Sequence, residues 1–250
     1  VYHQCYPFRG QGRGLTSPLY PLARMALYAH FRSADVEIGI WRMEEDEAEL
    51  LSRLPVAVSQ GVERFTAPHR RQEWLSVRLL LLTMLEQSKA DGAADALHAD
   101  DAVIGYTSVG APYLLDRSRA LSISHTKGYV AVALAPWGSR PGIDIEQWGE
   151  RVRKVASRFL REDEGTPLYQ GSPVAALLLH WSAKEALYKS LEQQEAVDFK
   201  EHLRLFPFSV ATEGSFVAKE YRSPLQQRYA MAYRLFPDFV LTWVTGILPA

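Results

Sequence analysis

Cysteine is nearly absent from this chain: 250 residues contain one, Cys5. No intrachain disulfide can form and no thiolate cluster can hold a metal, which fits a reducing compartment. Long apolar runs are missing too, since nothing approaches the ~20 consecutive apolar residues that a membrane-spanning helix needs. The opening residues also lack the apolar stretch of a secretory leader. Charge of one sign is not in excess: 28 Lys+Arg against 29 Asp+Glu leave a net charge of −1, so no global field favours nucleic acid or an anionic membrane. With 47% hydrophobic and 23% charged residues, the chain has an ordinary globular balance for one large domain or two smaller ones. It is expected to be cytoplasmic, to engage neither membrane nor nucleic acid, and to bind anions only at local sites.

Residues 1–24 carry three arginines, no acid and several Gly and Pro breaks, and are expected to be an extension outside the fold. From Val36 to Trp41 the chain alternates as a strand, and the acid-rich run from Glu44 to Leu54 reads as a helix with its acids in the first turn. A second helix follows Pro68, with Trp74, Val77, Leu81 and Leu85 on one face. His69, Arg70 and Arg71 stand at its start, where cations oppose the helix dipole; an anion such as phosphate would relieve them, and a solvated basic turn is the bland alternative. Residues 89–101 read as a polar connection. Leu121 to Ala135 alternates on both sides of His125-Thr126-Lys127-Gly128, a hairpin in which Ser124, His125 and Lys127 gather donors and Gly128 supplies a positive φ.

Gly142-Ile143-Asp144-Ile145-Glu146 follows. In a strand Asp144 and Glu146 share one face and Ile143 and Ile145 the other. Arg151 to Glu164 is then expected to be an amphipathic helix, with Val152, Val155, Phe159 and Leu160 inward and Arg151, Arg153, Lys154, Arg158 and Arg161 outward. Ser172-Pro173 starts the most informative segment, a helix to Leu191, since serine caps and proline suits the first helical position. Val174, Leu177, Leu178, Trp181 and Tyr188 form an apolar stripe, and Ala176, Leu179, Ala183, Ala186 and Leu187 make much of the other side apolar too. Glu185 falls on that stripe, with Lys184 beside it and Lys189 one turn on, where unpartnered charge is costly. A surface Glu185–Lys189 pair is one explanation. Grouping with Asp144 and Glu146 is the other, giving three hard oxygen ligands suited to Mg²⁺, with Mn²⁺ as a substitute. Strands are expected over 203–210, 215–219, 228–236 and 239–247.

G-I-D-I-E at 142–146 and W-S-A-K-E-A-L-Y-K at 181–189, with Asp144 and Glu185 41 positions apart, together resemble the 4'-phosphopantetheinyl transferase superfamily. I-S-H-T around His125, G-A-P-Y-L at 110–114, the basic start at 69–71 and R-F-L at 158–160 match in the same order. The length resembles the Sfp-like monomeric branch. The resemblance implies an α+β fold of two pseudo-symmetric halves, 25–137 and 138–250, each an antiparallel sheet on a long helix, with the active site in the cleft between them. It implies transfer of the phosphopantetheine arm of coenzyme A to a serine of an apo acyl or peptidyl carrier protein, releasing 3',5'-ADP. Asp144, Glu146 and Glu185 match the magnesium ligands, Glu185 also a base for the serine, and Lys189 the pyrophosphate contact. Ser124 and His125 match contacts to the 3'-phosphate, His69 and Arg70 lie toward the nucleotide end, and Lys184 is counted with the coenzyme contacts. Ala111 stands where the family usually has lysine. Another Mg²⁺-dependent phosphoryl transferase acting on nucleotides, or a non-catalytic carrier-binding relative, are the alternatives.

Overall fold

The computed structural model describes residues 26–90, 102–164, 173–192 and 194–249. The expected extension at 1–24, most of the polar connection at 89–101 and the Ser172 cap lie outside them. Strands β1 (Leu27–Ser33) and β2 (Val36–Arg42) open the fold, followed by α1 (Glu47–Arg53), a single turn α2 (Val56–Ser59) and the 23-residue α3 (Pro68–Ala90). Asp46 caps α1, its side chain accepting from Glu49 N. The short pair β3 (Ile104–Tyr106) and β4 (Pro112–Leu114) leads to the hairpin of β5 (Arg119–Thr126) and β6 (Tyr129–Pro136), turned by Lys127 and Gly128, the latter at φ 82°. Then come β7 (Ile143–Gln147), α4 (Arg151–Val155), α5 (Pro173–Ser190), α6 (Phe199–His202), β8 (Leu203–Leu205), β9 (Glu213–Glu220), β10 (Arg228–Leu235) and β11 (Phe239–Leu248).

Two antiparallel sheets, ordered β1-β2-β6-β5 and β7-β11-β10-β9-β8, carry the fold. The alternation of β2 explains their stacking. Val36, Ile38 and Ile40 join Ala131, Ala133, Ile143, Ile145, Leu241 and Trp243 in a core between the sheets. On the other face of the first sheet, Trp41, Val130, Val132 and Leu134 pack with Leu75, Leu81 and Leu85 of α3. The second sheet packs its far face on α5 through Leu179, Ala183, Leu187, Met231 and Val240. The layers therefore run helix, sheet, sheet, helix, and strands such as β2 and β6 are apolar on both faces because both are covered.

Neighbouring edges of the sheets meet along β5 and β7, and side chains make the seam. The hydroxyls of Ser122, Ser124 and Thr126 accept the N–H groups of Ile143, Ile145 and Gln147 at 3.2, 3.3 and 3.3 Å. A buried strand N–H without a partner is costly, and the S-x-S-x-T alternation supplies one at every second residue.

The chain departs from expectation after β7. A helix through Glu164 does not form: α4 stops at Val155, a 3₁₀ turn covers Ala156–Arg158, and the carbonyl of Phe159 accepts from Lys184 Nζ. Burying Phe159 against Trp181, with ring centroids 5.3 Å apart, and committing its carbonyl to a lysine both turn the chain away from its helical path. The strand expected over 203–210 also ends at Leu205, two residues before Pro207, which cannot donate to a ladder.

Candidate functional site

The two carboxylates of β7 emerge on the α5 side, because Ile143 and Ile145 occupy the opposite face between the sheets. Helix α5 comes unusually close here. A Cβ on Gly142 would lie 1.9 Å from the carbonyl oxygen of Ala186, so only glycine admits the helix at this crossing. That approach sets Lys189 on Asp144, its Nζ donating to Asp144 Oδ1 and to Ile143 O at 2.9 Å each. Ser124 Oγ donates to the same Oδ1 at 2.9 Å. Asp144 Oδ2 is buried and has no hydrogen-bond partner. Glu146 accepts from Trp181 Nε1 at 2.7 Å through Oε1. Glu185 lies on the half-buried stripe of α5 with Leu177, Trp181 and Tyr188, and its carboxylate makes no hydrogen bond among the described residues.

The electrostatics reflect crowding of like charge. Burial raises Glu146 from its ordinary value of 4.5 to about 7, assisted by the Asp144 charge and opposed by the Trp181 N–H. Glu185 rises to about 7 for the same leading reason, assisted by Asp144 and opposed by Lys189. Glu146 and Glu185 therefore hold protons near neutrality, a state that a cation would reverse. Among the described residues no three acidic, imidazole or thiolate groups stand as a ready-made metal cage. The donor set nevertheless suits Mg²⁺, which needs only one or two carboxylates and keeps water or phosphate for its other positions.

Next to this group a cavity of about 500 Å³ opens between α3 and the β3–β5 region, lined by Arg64, Arg70, Trp74, Arg78, Tyr106 and His125 among others. His125 hydrogen-bonds Arg70 Nη1 at 3.4 Å, and Glu73 faces both, 2.9 Å from Arg70 and 3.6 Å from His125. Burial pushes the His125 imidazole down; Glu73 opposes, while Arg70 and Lys189 add to the fall. His69 is exposed and lines an adjoining cavity of about 430 Å³ with Gln72, Glu73, His125 and Lys127. The basic first turn of α3 is not bare: Arg70 pairs with Glu73 and Arg71 with Glu47.

The sequence reading passed over Arg64 and Arg78. Arg78 is buried, donates to Trp74 O at 3.1 Å, lies over the Trp74 ring and is lowered by burial to about 10. Arg64 stacks on Phe65, Trp74 and Tyr106. Neither guanidinium has a carboxylate partner among the described residues, and both border a cleft. The signal was present, since Arg78 interrupts the apolar run Trp74–Leu85 as Glu185 interrupts its own stripe.

Two of the expected coenzyme contacts have side chains that are already engaged within the fold. Lys184 is fully buried away from the cleft, with Nζ donating to Glu164 at 2.8 Å, Phe159 O at 2.5 Å and Phe199 O at 3.2 Å; all three protons are committed, leaving none for a coenzyme. Ser124 points toward β7 with Ser122 and Thr126, whereas Ile123 and His125 line the cleft from the opposite face. Its proton goes to Asp144, and it also accepts from Ile145 N, so that hydroxyl is engaged with the carboxylate and not with the cleft.

Residues 140–242 match the 4'-phosphopantetheinyl transferase superfamily. The matched span holds Asp144, Glu146, Glu185 and Lys189, and supports a place in that superfamily for this part of the chain. No curated protein matches the chain.

Proposed function

We propose that the protein transfers the 4'-phosphopantetheine arm of coenzyme A to a serine of an apo acyl or peptidyl carrier protein in a Mg²⁺-dependent reaction, releasing 3',5'-ADP, as an Sfp-like monomeric enzyme. The observation that carries this reading is the bare, buried Asp144 Oδ2, whose charge acts on a Glu185 carboxylate with no hydrogen bond among the described residues, inside the stretch matched to the superfamily. Strand–helix–hairpin order recurs in both sheets, β2 pairing β6 as β7 pairs β11, which supports reading 25–137 and 138–250 as two related halves.

Asp144, Glu146 and Glu185 would hold the Mg²⁺, which when bound neutralises the oxygens of a pyrophosphate. Glu185, its carboxylate free of hydrogen bonds and pushed up to about 7, is suited to take the proton of the carrier serine as its oxygen attacks phosphorus. The phosphorus–oxygen bond to the nucleotide breaks, and 3',5'-ADP leaves with that electron pair. Lys189 supplies positive charge beside the acids for the leaving phosphate. The cleft of Arg64, Arg70, Arg78 and His125 would take the nucleotide end, its two carboxylate-free arginines standing in for the lysine absent at Ala111. Arg151, Lys154 and Arg158 are exposed without ion-pair partners among the described residues, whereas Arg153 pairs with Glu150 and Arg161 with Asp163. These three suit the acidic face of a carrier, steering its approach. The reading is tested by incubating the protein with coenzyme A, Mg²⁺ and a panel of apo carrier proteins, reading intact mass; addition of one phosphopantetheine to a carrier, lost in EDTA, is expected. No mass gain on any carrier, with turnover of a nucleotide alone, would favour the simpler phosphoryl transferase.

Two further results follow from the geometry. Arg78→Gln should raise KM for coenzyme A about 10–100-fold while lowering kcat far less, because loss of one charge-assisted contact is largely a loss of uniform binding. An unchanged KM would take Arg78 out of the nucleotide site. The second concerns pH. Glu146 and Glu185, raised from 4.5 to about 7, hold protons in the folded chain that the unfolded chain releases, so metal-free stability should fall as pH rises across that window. A cation must displace those protons, and Mn²⁺ should bind about 10–100-fold more tightly at pH 8 than at pH 6. Calorimetric titration at the two pH values checks it; equal affinities would mean that these carboxylates are not the ligands.

A further inference from the structure

We propose that Ser124 and Trp181 are positioning residues that fix which oxygen of each strand carboxylate faces a bound cation. The inference rests on the reading of Asp144 and Glu146 as cation ligands, and it assigns a task to two neutral side chains that touch neither substrate nor metal.

The two carboxylates are tied in the same way. Asp144 Oδ1 accepts from Ser124 Oγ at 2.9 Å, and Oδ2 is buried and bare. Glu146 Oε1 accepts from Trp181 Nε1 at 2.7 Å, and Oε2 makes no hydrogen bond among the described residues. Each acid thus has one oxygen occupied by a neutral donor and one left over. A carboxylate with both oxygens free can rotate, and a hydrogen-bonded one presents a single oxygen in a set direction. Neutral donors orient without cancelling the charge, unlike Lys189, whose cation also sits on Asp144 Oδ1.

Both donors have their own orientation fixed. Ser124 Oγ accepts from Ile145 N at 3.3 Å, which turns its proton toward Asp144. The indole N–H of Trp181 can only donate, and its ring packs against Phe159 and Phe199 with centroids 5.3 and 5.7 Å away. Trp181 lies one helical turn before Glu185, so the same α5 face presents an acid and the group that orients its neighbour. Ser124 reaches Asp144 from the other sheet, which makes the β5–β7 seam the means by which one half of the fold sets a carboxylate of the other.

Mn²⁺ affinity measured by electron paramagnetic resonance on the substrate-free protein tests this apart from turnover. Trp181→Phe keeps the aromatic packing and removes only the donor, and Ser124→Ala removes the hydroxyl; each is expected to weaken Mn²⁺ binding about 10–100-fold, the usual effect of losing an outer-shell partner. Ser124→Thr should restore the affinity, since Thr126 already fills the equivalent place in the seam by accepting from Gln147 N. In the proton NMR spectrum one indole N–H resonance, absent from Trp181→Phe, should shift when Mg²⁺ is added to the parent protein. Affinities within about twofold of the parent in variants that melt cooperatively would overturn the proposal while leaving the cation site standing. Failure of the parent to bind Mn²⁺ would remove the site and the proposal together. Should Ser124→Ala fail to fold, Trp181→Phe decides alone.

Discussion

Asp144→Asn is expected to lower kcat/KM for carrier modification by about 10³–10⁴-fold, or roughly 4–5.5 kcal/mol of transition-state stabilisation at about 1.4 kcal/mol per tenfold. Asparagine keeps the shape and leaves an acceptor for Ser124, but it removes the charge and turns one oxygen into a nitrogen that cannot ligate a hard cation. Lys189 loses its ion partner, yet its side chain is 27% exposed and water can take over. The melting temperature should therefore stay level or rise, because a crowded, buried carboxylate is costly to keep. The measurements are carrier mass gain against time, Mn²⁺ binding, and a thermal melt by circular dichroism. A variant that still transfers at the parent rate would sink the assignment, as would a parent enzyme fully active in EDTA.

The parts of the site legible in the sequence were those whose cause is local. Alternation alone placed Asp144 and Glu146 on one face of a strand, and an acid on an apolar stripe was enough to single out Glu185. The errors arose where a distant partner decides the outcome. Lys184 precedes Glu185 by one residue, a rotation of about 100° round a helix, which puts it into the buried interior; only the fold reveals that Glu164 waits there. Ser124 was seen as a turn donor because nothing in the hairpin says that its neighbour across the seam will be β7. The basic helix expected after β7 has the right periodicity, and its last turns fail because Lys184 claims the carbonyl of Phe159. Gly142 is a further case: the sequence shows a glycine before a strand, and the reason for it, the backbone of α5 at Ala186, lies 44 residues on. The layered fold was readable in outline from strands, helices and hairpins in order, whereas the docking of one sheet on the other pairs Val36, Ile38 and Ile40 with Ile143, Ile145, Leu241 and Trp243, partners more than 100 residues apart that no local pattern joins.

The buried lysine that the sequence misplaced gives the largest expected effect on stability. Lys184→Met should destabilise the protein by about 3–5 kcal/mol, since deleting one member of a buried ion pair strands the other charge. Glu164 is as deeply buried as its partner, with both side chains fully excluded from solvent. It also accepts from Arg161 N and Leu205 N at 2.9 and 2.7 Å, so it cannot swing out to water without breaking the join between the segment after α4 and β8. Burial pushes the lysine down, and the charge of Glu164 opposes that fall. For a chain of this size the loss corresponds to a fall in melting temperature of roughly 6–20 °C. The double variant Lys184→Met, Glu164→Gln leaves no stranded charge, while the glutamine can still accept from the two backbone N–H groups; it should recover a large share of the lost stability, a non-additivity of about 1–3 kcal/mol. Below its melting temperature the single variant should retain activity within several-fold, because Lys184 spends its ammonium on Glu164 and the carbonyls of Phe159 and Phe199, and that ammonium makes no contact with Asp144, Glu146 or Glu185. Denaturant melts of the parent, both single variants and the double variant decide the matter: a single variant as stable as the parent, or a double variant that simply adds the two losses, would show that Lys184 and Glu164 do not hold this side of α5 together.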